Sequence, residues 1–258
     1  YPSRVAVTLA AGQRLKPLLP QSLKQQIPEQ QKTSTWPTYI PGNAGQVRKM
    51  LILQGCVQSV ATPNTNSATA NILHKLGITL IAPDKAGCCG AVSQHLSAQQ
   101  EALNFMRQNI DVWWPYIEQG ITAIIITASG CGAMVKEYGY HLKQDEQYAE
   151  KAQKVSELAK DISEVLTAEE LPLTRIKPTI KNIAFQSPCT LQHGQQLDGV
   201  VESILKRCGF ELSAVDDAHL CCGSAGTYSI LQADLAQQLL HNKLKNLQRH
   251  QPELIVTA

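Results

Sequence analysis

Residues 87–90 read Gly-Cys-Cys-Gly, and residues 221–223 repeat the Cys-Cys-Gly part. Each cysteine pair follows a single cysteine, Cys56 in the first case and Cys189 in the second, after the same gap of 31 residues. Such self-similarity at a fixed spacing is the signature of an internal repeat. The sequence therefore predicts two tandem copies of one structural unit.

The segments around the first cysteines alternate between short apolar runs and amphipathic stretches. Residues 49–53, 78–82 and 123–127 are continuous apolar runs, whereas residues 102–117 have the spacing of a helix. Continuous apolar strands are typical of parallel sheets that are covered on both faces. We predict an α/β fold with two pseudo-repeats, each a small, mostly parallel sheet with flanking helices.

The second copy supports the same interpretation. Residues 182–186 form a strand-like run before Cys189, and residues 254–258 resemble the third run of the first copy, residues 124–128. That third run leads to Cys131 in the first copy. The repeat thus predicts a further cysteine about three residues after Ala258.

We divide the chain into four parts. Residues 1–47 are rich in Gln, Pro and Lys and read as a lead-in or linker, followed by the first repeat at 48–140. Residues 141–178 are a connecting segment, and the second repeat occupies 179–258 with a truncated C-terminus. Apolar residues at steps of three and four predict one long amphipathic helix over 141–170 that joins the repeats.

The composition excludes several classes of protein. The 258 residues are 43% hydrophobic and 17% charged, which indicates a globular chain, and the net charge of +2 argues against a nucleic-acid partner. No apolar run is long enough for a transmembrane helix, and no signal peptide is evident, so any membrane association is expected to be peripheral. Eight cysteines without a secretory context point to reduced thiols for metal or redox chemistry.

The cysteines are expected to gather in two sets. Each follows a predicted strand, and the carboxyl ends of parallel strands meet at one edge of a sheet. The candidate ligands are Cys56, Cys88, Cys89 and Cys131 in the first repeat, and Cys189, Cys221 and Cys222 in the second. Four thiolates suit an iron–sulfur cluster or a Cys₄ zinc site, although the short C-x₂₋₄-C spacing of structural zinc sites is absent. A labile disulfide between Cys88 and Cys89 is the third alternative.

A few other residues qualify as neighbours of a bound group. Gly90 and Gly223 allow the backbone turn that adjacent cysteines need in order to face one centre. His193 could be a cluster neighbour, a proton relay, a substrate contact or a hydrogen-bonded helix-start residue. Cys208 is expected to be a small buried residue rather than a ligand. No catalytic residue is predicted, since no Ser-His-Asp, P-loop or dinucleotide motif occurs.

The repeated cysteine pattern resembles the cysteine-rich CCG domain pair. That pair occurs in heterodisulfide reductases and in the iron–sulfur subunits of glycolate oxidase, lactate-utilisation enzymes and anaerobic glycerol-3-phosphate dehydrogenase. Residues 128–139, Ala-Ser-Gly-Cys-Gly-Ala-Met-Val-Lys-Glu-Tyr-Gly, and 187–194, Ser-Pro-Cys-Thr-Leu-Gln-His-Gly, are most similar to the glycolate oxidase iron–sulfur subunits. The resemblance covers about residues 45–258.

The resemblance implies an electron-transfer subunit of an oxidoreductase complex. In that family, flavin subunits carrying FAD oxidise glycolate to glyoxylate, and the iron–sulfur subunit passes electrons towards quinone at the inner face of the cytoplasmic membrane. The resemblance also implies a cytoplasmic location. It further implies that this chain lacks the family's N-terminal ferredoxin-like part and is inactive alone. Ala128 stands where a cysteine would be expected, which favours a four-cysteine cubane 4Fe-4S cluster over a five-cysteine site.

Other functions remain open from the sequence. A lactate-utilisation, glycerol-3-phosphate dehydrogenase or heterodisulfide-reductase-type subunit would share the same cysteine pattern. A zinc-stabilised interaction module without redox activity is the alternative from another class.

Overall fold

The computed structural model describes residues 2–24, 27–29, 31, 36, 48–171 and 179–258. The chain divides into two compact units, Tyr1–Ile162 and Ser163–Ala258.

The strands are β1 (Arg48–Leu53), β2 (Ile78–Ile81), β3 (Ile124–Ile126), β4 (Ala159–Asp161), β5 (Asn182–Gln186), β6 (Glu211–Leu212) and β7 (Leu254–Thr257). The helices are α1 (Pro2–Leu15), α2 (Gln21–Lys24), α3 (Gln58–Ala61), α4 (Pro63–Lys75), α5 (Ala91–His95), α6 (Gln99–Glu118), α7 (Ser129–Lys136), α8 (Tyr138–His141), α9 (Ala149–Leu158), α10 (Ile162–Ala168), α11 (Val200–Arg207), α12 (Tyr228–Leu231) and α13 (Ala233–Gln248).

The first unit contains a parallel sheet in the order β2-β1-β3-β4. Its central strands are buried on both faces, which explains why their sequences are continuous apolar runs. Leu51, Ile52 and Ile124 are fully buried. The strand order reverses between β1 and β3, and this is the position at which open α/β sheets bind ligands.

The second unit repeats this arrangement. Its sheet has the order β6-β5-β7, again with all strands parallel, which matches β2-β1-β3 of the first unit. A short π-helix at Thr190–Gly194 follows β5, where α3 follows β1 in the first unit. The predictions of an α/β fold and of two tandem repeats are confirmed.

The prediction of one long helix over 141–170 was wrong. The segment contains α9, then β4, then α10. The Asp145 carboxylate accepts the backbone N–H groups of Gln147 and Tyr148, which makes a turn just before α9 begins at Ala149. Ala159 and Asp161 then join the sheet beside β3 and are buried there, so strand pairing overrides the helical periodicity.

The lead-in is more ordered than its composition indicates. Residues 2–15 form a helix of 14 residues, although the segment reads as a lead-in or linker. The predicted boundary at 47/48 and part of the connecting segment, residues 172–178, lie outside the described residues. In the described ranges, no helix combines the length and the hydrophobicity required to cross a bilayer.

Candidate metal centre

Four cysteines of the first unit lie beyond the carboxyl ends of its parallel strands. Cys56 follows β1, the pair Cys88 and Cys89 lies between β2 and α5, and Cys131 lies near the start of α7 after β3. Because β1 pairs with both β2 and β3, the three loops share one edge of the sheet. The predicted gathering of the four cysteines from three loops is what the structure contains.

The four sulfurs form two close pairs. The Sγ atoms of Cys56 and Cys88 are 3.5 Å apart, and those of Cys89 and Cys131 are 3.1 Å apart. Cys88 and Cys89 are 6% and 3% exposed, and the other two pack against the same buried apolar cluster. All eight cysteines are free thiols, so the structure does not contain the disulfide alternative.

The turn that follows the cysteine pair depends on Gly90. Its φ of +90° lies in the left-handed region, and a Cβ atom there would be 3.1 Å from the Ala102 carbonyl oxygen of α6. The Gly90 N–H donates a hydrogen bond to the Cys88 Sγ at 3.5 Å. Glycine thus permits both the turn and the close helix contact, and its N–H stabilises negative charge on the sulfur.

Two buried polar side chains that the sequence analysis missed hold this loop in place. Asn109 of α6 accepts the Gly87 N–H at 2.8 Å and donates to the Cys88 carbonyl, also at 2.8 Å. The Tyr138 hydroxyl donates to the Cys89 carbonyl at 2.9 Å and accepts a hydrogen bond from Asn109. The available signal was a lone Asn on the apolar face of α6, since a buried polar group needs hydrogen-bond partners.

The thiols influence each other's ionisation. Hydrogen bonds from the thiols of Cys56 and Cys89 lower the pKa of Cys88 to about 3. A hydrogen bond from Cys89 lowers the pKa of Cys131 in the same way. The pKa values of the two donors, Cys56 and Cys89, are raised, because each thiol donates a hydrogen bond to a neighbouring sulfur and is also buried. Two thiols thus donate to two sulfurs whose ionised form is favoured, since four adjacent thiolates would repel one another.

This donor set fits a bound group that takes four cysteine sulfurs. Iron–sulfur clusters use such a set, and binding displaces the thiol protons. In the part of the chain that the structure describes, no three His, Cys, Asp or Glu side chains are grouped to hold a single metal ion. The four candidate ligands of the first unit are thus arranged as two close sulfur pairs.

The second unit presents three cysteines on equivalent elements. Cys189 follows β5, while Cys221 and Cys222 precede Gly223, whose φ is +83°. The Gly223 N–H donates to the Cys221 Sγ at 3.3 Å, as Gly90 does in the first unit. A Cβ atom at Gly223 would be 2.3 Å from the carbonyl oxygen of Ala236 in α13, so the same turn packs here even more tightly against a helix.

The structure also locates two further candidates of the sequence analysis, His193 and Cys208, and one residue that it missed, Lys243. His193 is exposed in the π-helix after Cys189, and among the described residues no hydrogen bond joins it to a cysteine sulfur. Cys208 ends α11, and burial raises its pKa. Lys243 of α13, which the sequence analysis missed, is 3% exposed and donates a hydrogen bond to the carbonyl of Leu220, the residue before Cys221.

Fold and site together define a duplicated parallel α/β protein whose cysteines gather beyond the strand ends. The chain belongs to the CCG family, described as a cysteine-rich domain, whose profile matches residues 50–136 and 183–258. The resemblance inferred from the sequence is confirmed.

Three relatives show the range of similarity. The glycolate oxidase iron–sulfur subunit of Escherichia coli (strain K12) is 50% identical over 248 residues, which are 96% of this chain and 60% of the relative. The probable glycolate oxidase iron–sulfur subunit of Bacillus subtilis (strain 168) is 27% identical over 90% of this chain and 52% of its own length. Lactate utilization protein A of Bacillus velezensis is 25% identical over 81% of this chain and 87% of its own length. The chain therefore spans little more than half of the first two relatives.

Proposed function

We propose that this chain is the iron–sulfur electron-transfer part of a glycolate-oxidising complex. In this proposal, FAD-containing partner subunits oxidise glycolate to glyoxylate, and the two electrons released pass one at a time through this chain towards a quinone. This proposal rests mainly on the four cysteine sulfurs that three loops bring to one edge of the sheet. The choice of glycolate rests on the 50% identity to a glycolate oxidase iron–sulfur subunit.

The proposed ligands of the first cluster are Cys56, Cys88, Cys89 and Cys131. When bound, a 4Fe-4S cluster accepts and returns one electron. Asn109 and Tyr138 would keep the cysteine loop in place during this exchange, because both hydrogen-bond its backbone. Little solvent rearrangement is then expected when the charge changes.

A second cluster is proposed at the corresponding place in the second repeat, with Cys189, Cys221 and Cys222 among its ligands. Its support is the repeated turn, in which the Gly223 N–H donates to the Cys221 sulfur as Gly90 donates to Cys88. Neither set includes a proposed acid or base for substrate, so the chemistry of glycolate is assigned to the partner subunits. This chain alone is therefore expected to be inactive.

The cluster proposal is tested by metal analysis of the full-length protein, purified without oxygen. We expect Cys56→Ala or Cys131→Ala to lose about four irons and four sulfides per chain relative to wild type. Cys208→Ala is the matched control, because Cys208 lies outside both cysteine sets and should leave the iron content unchanged. An unchanged iron content in the Cys56 and Cys131 variants, or zinc in a colourless protein, would contradict the proposal.

The substrate is tested with the assembled complex. Under anaerobic conditions, glycolate should bleach the visible absorption of the clusters faster than L-lactate does. A lactate-utilising complex is the second candidate, because this chain aligns with 87% of a relative named lactate utilization protein A. Faster bleaching by L-lactate would favour that candidate.

The proposed quinone acceptor implies a peripheral position at the cytoplasmic face of the membrane. The described helices offer no transmembrane span, so attachment would be through partner subunits or surface contacts. Co-sedimentation of the intact complex with membrane vesicles, and its release by high salt, tests this part of the proposal.

A further inference from the structure

Lys243 and Asn109 occupy the same place in the two repeats. Both lie on the second helix after the cysteine pair, α6 or α13. Each is seven residues after the alanine against which the left-handed glycine packs, Ala102 for Asn109 and Ala236 for Lys243. Both are buried, at 3% and 0% exposure. Both donate hydrogen bonds to backbone carbonyls of the cysteine loop, but only Lys243 carries a charge.

The Lys243 ammonium hydrogen-bonds the backbone of the loop that carries Cys221 and Cys222. Its Nζ donates to the Ala218 carbonyl at 2.6 Å and to the Leu220 carbonyl at 2.8 Å, and Leu220 directly precedes Cys221. Gln192 donates to the same Ala218 carbonyl at 3.2 Å, so the loop is fixed from two sides. These contacts make Lys243 a positioning residue for Cys221 and Cys222.

A buried ammonium also requires a negative partner. The hydrogen-bond partners of Lys243 within the described ranges are neutral carbonyls, and its contacts include no carboxylate within ion-pair distance. Burial lowers the pKa of Lys243, whereas the thiolates of Cys222, Cys221 and Cys189 and the Asp217 carboxylate act in the opposite direction. An unpaired buried charge is costly, so an anionic group at the three cysteines would supply the missing compensation.

We propose that Lys243 is a fixed positive charge that raises the reduction potential of a cluster at Cys189, Cys221 and Cys222 above that of the cluster in the first repeat. The inference rests on the proposed second cluster. A reduced cluster carries one more negative charge than an oxidised cluster, so a nearby ammonium favours the reduced form. The neutral Asn109 gives the first cluster no such preference, and electrons would therefore settle in the second repeat.

The test is a redox titration of the full-length protein followed by electron paramagnetic resonance. The signal of the second cluster is first identified as the one that Cys221→Ala removes together with iron. Lys243→Gln deletes the charge and keeps an N–H donor. At a fixed ambient potential near the midpoint, we expect the ratio of reduced to oxidised second cluster to fall about tenfold in this variant, with the first cluster unchanged.

Two further variants separate charge from anchoring. Lys243→Arg should keep the wild-type potential, and Lys245→Gln, which removes an exposed charge from the same helix, should leave it unchanged as well. An unaltered potential in a Lys243→Gln protein that retains both clusters overturns the inference. If Lys243→Gln loses the second cluster, retention by Lys243→Arg supports the role of the charge, and loss in both variants overturns it.

These outcomes are distinct from failure of the proposed function. If Cys221→Ala loses no iron and removes no signal, the second cluster itself is absent. If it removes a signal whose potential is insensitive to Lys243→Gln, the cluster stands and only the role of Lys243 is wrong.

Discussion

The two repeats share a frame and differ in what surrounds their cysteines. Both place a cysteine pair before a left-handed glycine that packs against a helix, and both sheets have the same order in their first three strands. In the first repeat, neutral Asn109 and Tyr138 support the loop, and α9 packs beside α6. In the second repeat, the charged Lys243 takes over the support. The two repeats thus share their backbone arrangement but differ in the charge next to their cysteines.

The glycines after the cysteine pairs test whether the two turns are equivalent, and they should give the largest effects. Gly223→Ala is expected to destabilise its unit by about 4 kcal/mol and Gly90→Ala by about 2 kcal/mol. The difference follows from the Cβ distances to the facing carbonyl oxygens, 2.3 Å at Gly223 and 3.1 Å at Gly90. Urea unfolding followed by circular dichroism measures both.

Gly199→Ala is the control for this comparison. Gly199 also has a positive φ, of +75°, but an added Cβ would meet nothing within 4 Å. Its cost should therefore be only that of the left-handed backbone, about 1 kcal/mol. Equal losses for all three alanine variants would mean that close helix packing contributes nothing to either turn.

The support of the first loop can be broken without touching a cysteine. Asn109→Ala should cost about 3 kcal/mol, because it leaves the Gly87 N–H and the Cys88 carbonyl without their buried partner. Asn104→Ala, on the exposed face of the same helix, should cost less than about 0.5 kcal/mol. All three tryptophans, at 36, 113 and 114, lie in the first unit, so tryptophan fluorescence in urea reports on it selectively.

The smallest effect is expected at Asp145, which belongs to the first unit alone. The Arg107 guanidinium, 2.8 Å away through Nε, lowers the pKa of the Asp145 carboxyl below its value in the unfolded chain. Its contribution to stability is therefore complete above about pH 4 and is lost as the pH falls through the folded pKa. Asp145→Asn should flatten this acid dependence in thermal unfolding between about pH 2.5 and about pH 6, a window around the ordinary carboxyl pKa.

Glu150→Gln removes one exposed charge nearby and serves as the control for Asp145→Asn. If the acid dependence of stability is the same in wild type and Asp145→Asn, the contact with Arg107 does not contribute to stability.

The sequence was sufficient for the features that follow from local pattern. The buried strands β1, β3 and β5 were predicted because their apolar runs are continuous, and the cysteine gathering followed from their positions after those strands. The fourth strand, β4, was missed because Ala159, Lys160 and Asp161 have no strand-like pattern. It forms only because β3 offers a free edge, which is a tertiary effect.

The residues that support the cysteine loops were missed for a related reason. Asn109 and Lys243 lie within apolar helical periodicity, where a polar residue looks like an exception to the pattern. Their role depends on which backbone groups the fold brings next to them, and no local pattern records that. Aligning the two repeats through their helices would have placed them at one position, because Ala102 and Ala236 are equally spaced from them.

The equal length of the two cysteine-to-cysteine segments has a consequence for how such a protein can change over generations. A duplicated unit with a fixed strand order can exchange single side chains, as at positions 109 and 243, while the crossover between its strands stays the same length. One copy can thus retain an ancestral role while its twin acquires another. A conserved segment length thus lets the surroundings of the cysteines diverge by single substitutions.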